Sequence, residues 1–242
     1  MPDAHAAPAP DAAPDQHDPD PLYRLPDAMV LAMIAVYCGI EAVLQGADHR
    51  LWGSVLWRPL AYQYGGFWAG LMRGGWLANY PGQTGAMFVT HSFLHAGLSH
   101  LLGNMIMLAA LANLLAGRLG RREFVGLWLL SAVGGGLVFG LLGPASQPMV
   151  GTSGALFGLV GLLVVCEAQA RRTEGASRLA VLATVLTWLA GLAALNLAFW
   201  WLQNGILAWQ AHLGGFLIGL VWGLARGQHR VNKHPNNGTR LP

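Results

Sequence analysis

Charge is what this sequence has least of. Only 10% of its 242 residues are Asp, Glu, Lys or Arg, whereas 54% are hydrophobic. Soluble domains carry about 25% charged residues, and a mean hydropathy of +0.44 points away from them as well. Cysteine is nearly absent: Cys38 and Cys166 both fall in apolar runs. That excludes a disulfide framework and leaves both as small hydrophobes. No periodic repeat is present. Residues 1–26 lack an apolar core and hold one basic residue, Arg24. They do not read as a signal peptide but as a disordered acidic tail rich in Ala, Pro and Asp.

What is there instead is a series of apolar runs. Six match a bilayer crossing of roughly 20 residues: about 27–46, 93–116, 123–143, 153–169, 179–201 and 205–225. A further stretch, 51–72, is broken by Arg58, Tyr62, Gln63 and Tyr64. Its Trp and Tyr content suits an interfacial loop. With the N-terminal tail in the cytoplasm, the inside segments hold Arg24; Arg118, Arg121 and Arg122; Arg171, Arg172 and Arg178; and Arg226, Arg230, Lys233 and Arg240. The outside segments hold Arg50, Arg58 and Arg73. This is the asymmetry of the positive-inside rule, with both termini inside. The pI of 9.2 therefore reports orientation, and no nucleic-acid partner is expected. The expected fold class is an all-α membrane protein with six transmembrane helices. Its domains are a disordered tail over 1–26, a helical domain over 27–226 and a basic tail over 227–242.

Polar groups inside a bilayer are costly, so each is a functional candidate. His91, His95, His100, Asn104, Ser153 and His212 lie in or beside the spans. Glu41 and Glu167 lie near span ends, where a carboxylate can reach water. His100 and Asn104 are four apart and share a helical face. The spans that carry His100 and Asn104, Ser153, and His212 all enter from outside. The four groups thus converge at similar depth. Gly215, Gly219 and Gly223 lie on the His212 face, and Gly154 and Gly158 repeat the spacing in the fourth span. Small-residue ridges of this kind let helices approach closely in lipid and would bring Ser153 near His212.

A serine beside a histidine is the minimum for nucleophilic acyl transfer, since the hydroxyl is weak until a base takes its proton. No Asp or Glu lies at the right depth to orient the imidazole. Phe157, four residues after Ser153, offers a ring for it to stack on. That makes a dyad oriented by packing. The Asn104 amide, the His100 imidazole and the Ser153 backbone N–H are candidate oxyanion donors. Taken singly, Ser153 reads as a helix N-cap, His212 as a packed core residue and Asn104 as interhelical glue. The G-x-S-x-G pattern of soluble hydrolases is not met, because Ala155 holds its last position.

Three segments together carry a resemblance: His100-Leu-Leu-Gly-Asn104 in the second span, Gly151-Thr152-Ser153-Gly154 opening the fourth, and Ala211-His212-Leu-Gly-Gly215-Phe-Leu-Ile-Gly219 in the sixth. Over about residues 27–226 the sequence resembles the rhomboid intramembrane serine proteases. The resemblance implies a six-helix rhomboid bundle with a membrane-associated first outer loop, 47–86. It implies Ser153 as nucleophile, His212 as base and then acid, and Asn104 and His100 in the oxyanion hole. Gly151, Gly154, Phe157, Gly215 and Gly219 are supporting residues. His91 and His95 are expected to tie the loop down. Many relatives carry Trp-Arg shortly before the His91 position, where this chain has Ala86-Met87; its own Trp57-Arg58 lies further upstream. The E-x-x-x-G of many relatives is Ala116 to Gly120 here.

The reaction implied is hydrolysis of peptide bonds in or near transmembrane segments of membrane proteins, without metal or cofactor. The partners are transmembrane substrates and the lipid bilayer. The 13 Arg against one Lys suggest a GC-rich bacterial source, so the expected location is a bacterial inner membrane. Two alternatives keep the fold or the polar residues without the chemistry: a catalytically silent binder of transmembrane helices, and a His-lined transporter. The transporter would need matching polar residues in the inner halves of the spans, and those are lacking.

Overall fold

The computed structural model describes residues 27–202 and 207–233. The expected tail 1–26, and residues 234–242 of the expected C-terminal tail 227–242, lie outside the described residues. Among the described residues the regular elements are helices, with one isolated antiparallel bridge between Phe67 and Met149. In chain order they are α1 (Ala28–Asp48), α2 (Trp57–Gly65), α3 (Ala69–Met72), α4 (Gln83–Thr90), a 3-10 turn (His91–Phe93), α5 (Leu98–Leu114), α6 (Arg121–Leu142), α7 (Ser153–Thr173), α8 (Arg178–Leu202) and α9 (Trp209–Lys233). Four of these, α1, α6, α7 and α8, are long and apolar enough to cross a membrane. The α4 segment with its 3-10 turn, together with α5, makes a fifth candidate if that pair, bent by 82°, is one span. In α9 glycine and polar residues dilute the apolar character, although its 25 residues are ample in length.

The second expected span differs from the observed one. The sequence predicts one helix over 93–116, but the chain breaks at 94–97 and α5 starts at Leu98. Gly97 has φ +105°, in the left-handed region that suits glycine. The His95 carbonyl is drawn out of helical bonding by the Tyr62 hydroxyl at 2.7 Å and the Arg58 guanidinium at 2.9 Å. At the other end of the chain, α9 runs from Trp209 to Lys233.

Helix α7 is the hub. Every residue from Gly154 to Val165 is buried, as expected for a helix that is apolar on all sides. On one flank α9 lies against it backbone to backbone. A Cβ at Gly215 would overlap the Gly154 carbonyl oxygen, and one at Gly219 would overlap that of Gly158. The opposite flank of α9 meets α6 in the same way, where a Cβ at Gly135 would come 2.9 Å from the Ala211 carbonyl oxygen. Helix α9 is thus wedged between two glycine faces, and its register on α7 is set. By contrast α8 is exposed along most of its length, with Leu182, Leu186, Leu197 and Trp201 facing outward. Apolar side chains presented like this suit lipid, where α-helices satisfy their own backbone groups.

Polar contacts hold the segment between α1 and α5. Arg58 at the start of α2 pairs with Glu41 at 2.8 Å and with Asp48 at 2.6 Å. Glu41 is only 1% exposed and also accepts from Gln45 at 2.9 Å. The expectation that its carboxylate reaches water is therefore not met, because this segment folds over it. Arg73 donates to the Gly140, Leu141 and Gly143 carbonyls and so caps the negative end of α6. At the opposite end of the bundle, exposed ion pairs join Asp27 to Arg121, Glu167 to Arg118 and Glu123 to Arg226. Each is worth little alone. Asp27 also caps α1 through Met29 N–H. That bond, with Arg121, holds its carboxyl below the ordinary value.

Candidate active site

The loop into α7 is constrained before Ser153 is reached. Gly151 has φ +119°, and a Cβ there would meet His100 Cε1 at 2.7 Å. Only glycine meets both demands comfortably. Its N–H bonds to the His91 carbonyl at 3.0 Å. Phe67 and Met149 exchange two backbone bonds of 2.9 Å just upstream. Thr152 occupies the N-cap position of α7, yet its side chain does not cap. Its buried hydroxyl oxygen accepts from Trp128 Nε1–H at 2.9 Å and lies 3.2 Å from the Tyr37 hydroxyl. The first amides of α7 are thereby left without a side-chain cap, and they carry the positive end of the helix dipole.

Ser153 is the first residue of α7, and its hydroxyl does not cap the helix. The Ser153 Oγ lies 2.9 Å from His212 Nε2. The His212 ring stacks on Phe157 with centroids 4.2 Å apart and planes within 4°. Its other nitrogen, Nδ1, lies 2.6 Å from Asn196 Oδ1. The imidazole is 4% exposed, so it has a face on Phe157 and a partner at each nitrogen. The glycine seam supplies this approach. Ala211 and Gly215 flank His212, and their backbone lies directly against Gly154.

Asn196 is the residue that sequence reasoning missed. The expectation of an imidazole oriented by packing without a third polar group is only half of what is observed: the third group is present, as an amide and not a carboxylate. A signal was present. Asn196 is a lone amide near the outer end of an apolar span, at the depth assigned to His212.

His100 and Asn104 come from α5. His100 Nδ1 accepts the Ala96 N–H at 3.2 Å, which leaves the proton on Nε2. Its Cε1–Nε2 edge lies against Gly151. Asn104 is buried and donates one amide hydrogen to the His100 carbonyl at 2.9 Å; the amide has a second to give. His91 and His95 stand behind the site. His91 Nδ1 donates to the Met87 carbonyl at 2.7 Å, and its ring meets Phe67 edge-on. The His95 ring lies between Tyr37 and His100. Among the described residues no group of three or more His, Cys, Asp or Glu side chains could hold a metal ion.

Comparison with known proteins places this geometry in context. The family model described as "Rhomboid domain" matches residues 83–229. The chain is 36% identical over 151 residues to RHOMBOID-like protein 1 of Arabidopsis thaliana, covering 60% of this chain and 36% of that protein. It is 33% identical over 144 residues to Rhomboid protein 1, mitochondrial, of Saccharomyces cerevisiae, covering 54% and 39%. It is 28% identical over 171 residues to the rhomboid protein YdcA of Bacillus subtilis, covering 69% and 76%. The chain therefore spans well under half the length of the plant and yeast relatives.

Proposed function

Because this chain belongs to the rhomboid family, we propose that it is an intramembrane serine endopeptidase acting on transmembrane proteins. The observation that carries the reading is the 2.9 Å contact between Ser153 Oγ and His212 Nε2 on a ring already held by Phe157. In this reading six helices, α1 and α5 to α9, cross the bilayer, and the segment between α1 and α5 lies partly in its outer leaflet. Residues 27–226 form the catalytic domain, between an acidic tail and a basic one. We place both termini in the cytoplasm, on the strength of the basic residues at the inner ends of the spans, and the membrane in a bacterial cell, on the 13 Arg against one Lys.

The chemistry follows from the geometry. A substrate helix unwinds locally, since helical peptide carbonyls are bonded and shielded. Ser153 Oγ attacks the exposed carbonyl carbon as His212 Nε2 takes the hydroxyl proton. The oxyanion is met by the Ser153 backbone N–H, the free Asn104 amide hydrogen and His100 Nε2–H. His212 then protonates the leaving amine, and the acyl-enzyme forms. Water, activated by the same imidazole, resolves it. Such donors are effective because they are fixed before charge develops.

The test is cleavage of a single-span reporter in proteoliposomes, paired with labelling by a fluorophosphonate probe. Ser153→Ala and His212→Ala are each expected to abolish both signals while retaining the folded helical spectrum. Full cleavage by either variant would defeat the proposal. A wild-type protein that binds reporter without cleaving or labelling would instead be a silent binder of transmembrane helices.

A further inference from the structure

The amide of Asn196 is not free to turn. Its Nδ2 donates to the Leu192 carbonyl at 2.9 Å, one turn back along α8. A carbonyl can only accept, so the nitrogen must face Leu192 and the oxygen must face His212. That oxygen in turn can only accept, so His212 Nδ1, at 2.6 Å, must carry the ring proton. The neutral imidazole then has its lone pair on Nε2, the atom 2.9 Å from the Ser153 hydroxyl. A chain of three contacts, from a backbone carbonyl of α8 to the serine, thus specifies one tautomer.

We infer that Asn196 is a positioning residue for the acyl-transfer reaction, holding His212 in the Nδ1–H tautomer that leaves Nε2 free to act as the base. This rests on the proteolytic reading. The proton from Ser153 Oγ goes to Nε2 and later to the leaving amine; the Nδ1 proton stays on the ring, and Asn196 gains none. As Nε2 is protonated, positive charge spreads to Nδ1–H and the bond to the amide oxygen strengthens, as charge-assisted bonds do. Stacking on Phe157 sets the plane of the ring but not its rotation within that plane. Asn196 supplies the missing constraint. Helix α8 packs chiefly on α7, so a residue outside the α6–α7–α9 core sets the state of the base. Of the described titratable groups, His100 on α5 also faces this site, its ring lying against Gly151, two residues before Ser153.

Two measurements test this. Asn196→Ala is expected to lower kcat roughly 10- to 100-fold with KM unchanged, and to slow fluorophosphonate labelling in parallel. Asn196→Asp keeps an acceptor and adds negative charge, so it is expected to recover most of kcat and to move the acid limb of the kcat profile to higher pH. Wild-type kcat in Asn196→Ala, or equal loss in the Ala and Asp variants, would overturn the inference. Nitrogen-15 spectra of histidine-labelled wild-type protein read the tautomer directly, independent of any variant's folding. A neutral His212 protonated at Nδ1 is expected; one protonated at Nε2 would overturn it. A wild-type protein that neither cleaves nor labels defeats the proteolytic reading alone, since the spectra still report which tautomer His212 holds beside Asn196.

Discussion

At the scale of single residues, the site is built by hydroxyls and amides whose partners are specific. Thr152 shows this best. It sits inside the Gly151–Gly154 segment, beside the nucleophile, yet faces away from it toward Trp128 and Tyr37. Thr152→Val keeps the shape and removes the oxygen. The buried Trp128 Nε1–H and the Tyr37 hydroxyl then each lose a partner, at a cost of about 1–3 kcal/mol. The expected outcome is a lower unfolding temperature in detergent, with cleavage reduced because the turn before Ser153 loosens. Asn104→Ala is expected to lower kcat on the order of 10²-fold if its free amide hydrogen meets the oxyanion. An effect confined to stability would leave it as interhelical glue.

At the scale of elements, the same residue type has opposite value on different helices. Gly215 lies where α9 meets the Gly154 backbone, and a Cβ there would overlap a carbonyl oxygen. Gly215→Ala is therefore expected to push α9 from α7 and pull His212 off Ser153. Misplacement of about 1 Å can cost on the order of 10²-fold in rate, and such overpacking costs roughly 1–3 kcal/mol. Gly191, in the middle of α8, has nothing within 4 Å of a built Cβ. Gly191→Ala is expected to leave cleavage unchanged and to stabilise by up to about 1 kcal/mol through helix propensity. Parallel thermal unfolding and reporter cleavage on the two variants separates seam from surface. The small-residue spacing on α7 and α9 was legible in the sequence. Gly134 and Gly135 on α6, which also meet α9, were not legible as a seam, because they are consecutive and form no i, i+4 ridge with each other.

At the scale of the whole molecule, the segment between α1 and α5 is pinned to the bundle by Arg58 and Arg73. Arg58 joins α1, α2 and the chain break before α5 in one cluster. Its removal leaves the Glu41 carboxylate, 1% exposed, without its cation. Breaking a buried pair from one side costs about 3–5 kcal/mol. Arg58→Leu is expected to lower the unfolding temperature sharply and to open residues 49–82 to limited proteolysis. The double variant Arg58→Leu, Glu41→Leu should recover much of the loss, because no buried charge remains. Without that recovery, Arg58 acts through Asp48 and the His95 carbonyl instead.

The sequence by itself determined which segments are apolar enough to bury in lipid, where the basic residues collect, and which serine, histidine and glycines could meet. These are properties of runs and spacings within one helix, where period and composition act locally. Tertiary structure alone decided the rest. Asn196 reaches His212 across the connection between α8 and α9, Tyr37 reaches Thr152 from 115 residues away, and Arg58 turns Glu41 from an expected water-facing group into a buried one. It also broke the second span at Gly97, by giving the His95 carbonyl two donors from α2. Each is a polar contact between distant segments, and a hydrogen bond fixes geometry only once packing has brought its two ends together.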